Sequence, residues 1–86
     1  MTYQTLTTTE LAQVLFTSAL QPSQTLSPPQ IRSAIEDRLC ACGDDHTACA
    51  ASVAQEAGDH PEAYATRMRW ALDAVSSAYR TYAMAA

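Results

Sequence analysis

GDHPEAYATRMRWALDAVSSAYRTYA, residues 58–83, is the longest patterned segment of the chain. Within it Tyr64, Met68, Ala71, Leu72, Val75, Tyr79 and Tyr82 recur every three or four positions, the spacing that lines one face of an α-helix. Asp59 can cap the first turn, and Pro61 fits where a backbone N–H has no helical partner. Glu62 complements the positive end of the helix dipole. One helix is therefore expected over 61–83, about 34 Å long at 1.5 Å per residue.

Reading back towards the N-terminus, the same punctuation repeats. Gly58 is expected to close a third helix over 46–57, capped by Asp44 or Asp45, with His46, Ala50, Val53 and Ala57 in line and Cys49 beside them. Gly43 is expected to close a second, over 28–42. Its start, Ser27-Pro28-Pro29-Gln30, has the form of a capping box, and Ile31, Ala34, Ile35, Leu39 and Cys42 follow as one apolar stripe. Thr7-Thr8-Thr9-Glu10 opens a first helix over 8–20 carrying Leu11, Val14, Leu15 and Leu20, before the polar turn Gln21-Pro22-Ser23-Gln24. Residues 1–6 carry no such signal, so order and disorder both stay open there. Strand hairpins would want turn glycines between β-branched runs, whereas both glycines sit where helices should stop. The expectation is an all-α single domain, a small bundle of about four helices with the last the longest.

The 86 residues leave room for one domain with a thin core. Apolar types make up 48% of the chain, but seventeen residues are Ala, and Leu, Ile, Val and Phe together number thirteen. Four Tyr, three Met and Trp70 supply the remaining bulk. The net charge is −4 and all five cations are scattered Arg, which disfavours nucleic acid as a partner because few cations could displace counterions from a phosphate backbone. No stretch approaches 18 apolar residues, and Met1–Thr9 lacks the basic and apolar segments of a secretory signal. A cytoplasmic protein that does not engage a membrane is the expectation.

Chemistry concentrates in Cys40-Ala41-Cys42-Gly43-Asp44-Asp45-His46-Thr47-Ala48-Cys49. A thiol- or metal-responsive regulator using Cys40, Cys42, His46 and Cys49, with zinc as the metal, is one reading. The spacing is compressed relative to structural zinc sites, and Cys40 and Cys42 diverge by about 200° on a continuous helix. A disulfide between Cys42 and Cys49 across the short turn is another, leaving Cys40 free. His60, next to Pro61, reads as a capping-region residue. No nucleophile, base and orienting acid can be placed together from the pattern, so an enzyme is not expected.

The last helix offers a second strip beside its Tyr/Met/Val face. Arg67, Trp70, Ala74 and Ser77 lie on that strip, and with Tyr79 and Tyr82 they are the candidate partner-binding residues, because Trp and Arg dominate binding hot spots. The expected function is a small non-enzymatic interaction or regulatory module acting through this helix. Its partner would be a second copy, forming a homodimer, or a larger protein.

Overall fold

The computed structural model describes residues 6–43 and 45–85, with side chains as far as Tyr79. It is all-helical and compact: α1 (Thr8–Phe16), α2 (Pro28–Ala41), α3 (His46–Asp59) and α4 (Pro61–Ala85), the last being the longest.

The starts of α1, α2 and α3 are built by local side-chain chemistry. At α1 the Thr7 hydroxyl accepts from the Glu10 N–H at 3.1 Å while the Glu10 carboxylate accepts from the Thr7 N–H at 2.9 Å, satisfying two orphan donors. Ser27 and Gln30 make the same reciprocal pair at α2. The Asp45 carboxylate accepts from the Thr47 N–H at 3.0 Å to cap α3. Leu6 precedes the α1 cap and lies half-buried against the core; residues 1–5 lie outside the described residues.

Two helix ends differ from expectation. α1 stops at Phe16 rather than residue 20. The Thr17 hydroxyl donates back to the Val14 carbonyl at 2.7 Å, and the carbonyls of Phe16, Ser18 and Leu20 turn outward to accept from Arg67 on α4. Those oxygens take their hydrogen bonds from Arg67 where a further helical turn would have supplied backbone N–H groups. At the other site, Gly58 does not close α3, which runs on to Asp59 with His60 at its cap. Pro61 ends it instead, because the proline ring disfavours helical geometry in the residue before it, and His60 sits at φ −139°, ψ 70°. Gly43 does behave as a terminator, with φ at +73°.

The core is a single cluster. α1 is its centre, burying Leu11, Ala12, Val14, Leu15 and Phe16 in nine residues and packing against all three other helices. α2 contributes Ile31, Ile35 and Leu39, and α4 contributes Met68, Ala71, Val75 and Ala78 at three- and four-residue spacing. α3 contributes only Cys49 and Val53. Small Ala residues at the α1 and α4 contacts let a short central helix be enclosed by few large side chains. No described helix is long and apolar enough to cross a membrane.

Candidate functional site

α4 is oriented by its buried stripe, and that orientation fixes where its second strip faces. With Ala71, Val75 and Ala78 directed into the core, Trp70, Ala74 and Ser77 turn towards the start of α2. They form one wall of an open groove of about 440 Å³. Leu26, Pro28 and Ile31 line it as well, with Gln24 and Asp73 among the polar lining residues. Asp73 is the acidic residue of the lining, and among the described residues no basic side chain lines the groove.

Leu26 and Ile31 were not among the sequence candidates, although a signal for them exists. They occupy the positions immediately before the Ser27 cap and four residues into α2, the pair that forms a hydrophobic staple and fixes how the chain enters a helix. What the pattern could not reveal is that α4 passes alongside this staple. Arg32, one residue further on, ties the two helices together by donating to the Ala78 carbonyl at 3.1 Å.

Arg67 shares the strip in sequence but is committed within the fold. Its Nε donates to the Phe16 carbonyl at 2.9 Å, and one terminal nitrogen donates to the carbonyls of Ser18 and Leu20 at 2.9 and 3.0 Å. The guanidinium lies between two rings, 5.5 Å from the Phe16 centroid and 4.8 Å from that of Trp70. Partial burial lowers its pKa, but the ordinary arginine value is so high that it stays charged. Trp70 therefore both meets this cation and lines the groove. Tyr79 packs half-buried against the core, away from the groove lining. The Tyr82 side chain lies outside the described residues.

The cysteine cluster separates into three environments. Cys42 and Cys49 are joined by a disulfide, with Cα atoms 5.8 Å apart, linking the C-cap of α2 to the first turns of α3. Cys40 is free and exposed. His46 is turned to the other side, its Nε2 3.3 Å from a Glu10 carboxylate oxygen on α1. The four residues proposed as a zinc set thus have different partners, and no group of three or more metal-type ligands occurs among the described residues. His60 pairs with Glu56 at 2.9 Å on the exposed end of α3.

Hydrogen bonding lowers the pKa of two exposed carboxyls. Glu10 is lowered chiefly by the Thr7 N–H, against an opposing effect of burial, with smaller lowering contributions from His46 and the Thr7 side chain. Asp45 is lowered by the Thr47 hydroxyl and N–H, with a smaller contribution from His46. Both belong to helix caps.

Compared with known proteins, the chain matches no protein-family model, no curated protein and no solved structure.

Proposed function

We propose that the chain is a non-enzymatic interaction module whose groove between α4 and the start of α2 receives an apolar side chain from a cationic segment of another protein. The observation that carries this reading is the alignment of Trp70, Ala74 and Ser77 along one wall with Leu26, Pro28 and Ile31 among the other lining residues. An aromatic anchor beside small residues leaves room for a side chain to enter, the usual form of a hot-spot pocket. Asp73 in the lining and a net charge of −4 favour a basic segment over a second copy of this acidic chain. The accessible surface, 5247 Å², is close to the roughly 5,000 Å² that mass scaling gives for a lone folded protomer of 9.3 kDa, so self-association is not required to cover excess surface.

The test is titration of the protein with an amphipathic helical peptide rich in Leu and Lys, followed by fluorescence of Trp70, the sole tryptophan. Saturable, salt-sensitive binding is expected. Asp73→Lys should weaken it by about 10-fold or more, and Ala74→Phe should block it while leaving the helical signal intact. Absence of a Trp70 response at millimolar peptide would refute the proposal, and a dimer in sedimentation that shields Trp70 would replace the foreign segment with a second copy.

A further inference from the structure

We infer that the Cys42–Cys49 bond is a thiol-exchange site, attacked at Cys42 by a low-molecular-weight thiol, and that its opening releases α3 from the bundle. The first observation is asymmetry in access. Cys49 is 2% exposed, whereas Cys42 is only half-buried at the C-cap of α2, so the Cys42 end of the bond is the more open to an incoming thiolate. The second is how few side chains α3 buries. Of its 14 residues only Cys49 and Val53 are buried, and one of those two is itself a partner in the bond. Beyond them the described attachments are the half-buried His46–Glu10 pair and the packing of small side chains along α1 and α4.

The exchange balances without an oxidant. The attacking thiolate forms a bond to the Cys42 sulfur, the Cys42–Cys49 bond breaks, and Cys49 departs with the electron pair. Cys49 is in the first turns of α3, where the helix dipole acts against the cost of leaving a thiolate in a buried position. Its sulfur lies 3.7 Å from the Arg38 carbonyl oxygen, a mere contact while the bond is closed because a disulfide sulfur carries no proton. Once Cys49 takes a proton from water, the same oxygen can accept from its S–H. A second thiol then attacks the sulfur of the first in the mixed disulfide, giving the oxidised small thiol and the Cys42 thiolate. Two low-molecular-weight thiols are oxidised and one protein disulfide is reduced. Closing a loop over seven positions restricts the opened helix strongly, so losing the bond should favour opening by on the order of 50-fold.

The experiment uses the full chain carrying Cys40→Ser, which removes the exposed thiol from the chemistry. The folded protein is equilibrated in mixtures of reduced and oxidised glutathione without denaturant. Acid-quenched peptide mapping then reads the adduct, and segment-resolved amide exchange reads the helices. The expected result is opening within the glutathione range, an adduct on Cys42, and protection over 46–59 falling on the order of 50-fold while residues 11–16 and 68–78 keep clearly higher protection. Three outcomes would each overturn the inference: a bond that opens only when denaturant is added, an adduct on Cys49, or opening after which 46–59 is unchanged or exchanges at one common rate with the rest of the molecule. If peptide binding at the Trp70 groove also failed, that would bear on the proposed function alone.

Discussion

Gly43 and Gly58 have open space around the position a Cβ would take, yet their backbones ask opposite things of a side chain. Gly43 holds φ at +73° after α2, where an L-residue suffers a Cβ–carbonyl clash; Gly58 lies inside α3, where glycine only adds freedom to the unfolded chain. Gly43→Ala is therefore expected to cost about 1 kcal/mol and Gly58→Ala to gain about 0.5–1 kcal/mol, both read as shifts in urea midpoint. Equal effects of one sign would show that the two positions share a conformation. Arg67 sets a larger residue-scale effect. It supplies three hydrogen bonds to carbonyls left over at the end of α1 and fills the space between Phe16 and Trp70. Arg67→Met keeps the stem but strands those carbonyls, and a loss on the order of 2 kcal/mol is expected from chemical denaturation, with Arg67→Lys intermediate because a single ammonium cannot span the same fork.

At the level of elements, the caps connect stability to pH. The Glu10 pKa is lowered in the folded protein, so the folded state binds its proton less readily than the unfolded chain, whose glutamates titrate at about 4.3. Its contribution is present above that value and lost as pH falls through the lower folded pKa. Glu10→Gln should therefore lower stability at pH 7 and converge on the unsubstituted protein near pH 2, in paired denaturation curves; a constant difference across that range would assign the effect to packing. The same caps explain what could be read before folding was known. Thr7–Glu10, Ser27–Gln30 and Asp45 are contiguous signals, so three helix starts were legible from a few residues each, as was the long periodic face of α4. The ends were less so. α1 stops at Phe16, where the carbonyl accepts from an arginine 51 positions away, and that contact exists only after α4 has docked. Gly58 misleads because Pro61, three residues on, already ends the helix. The groove divides in the same way: Trp70, Ala74 and Ser77 follow from helical phase, whereas Leu26, Pro28 and Ile31 join them only through tertiary approach.

For the whole molecule, the decisive quantity is how much of the fold rests on so small a core. The chain's buried set is one cluster of mostly small and medium side chains, with no polar or charged side chain buried among the described residues. Chains of this size bury only about 60% of the surface their unfolded form exposes, so each added constraint is a sizeable share of total stability. The Cys42–Cys49 link is such a constraint, closing a loop over a sequence separation of 7. Chain-entropy scaling gives such a short loop about 2.5 kcal/mol, and for a domain of this length 1 kcal/mol moves the thermal midpoint by about 4–8 °C. Reduction should therefore lower the midpoint by about 10–20 °C, measured by far-ultraviolet circular dichroism with and without a non-volatile phosphine reductant. The shift should persist in the Cys40→Ser protein, because Cys40 takes no part in the link. A change under about 3 °C would mean that the unfolded chain already holds these two sulfurs close, leaving the link little to constrain.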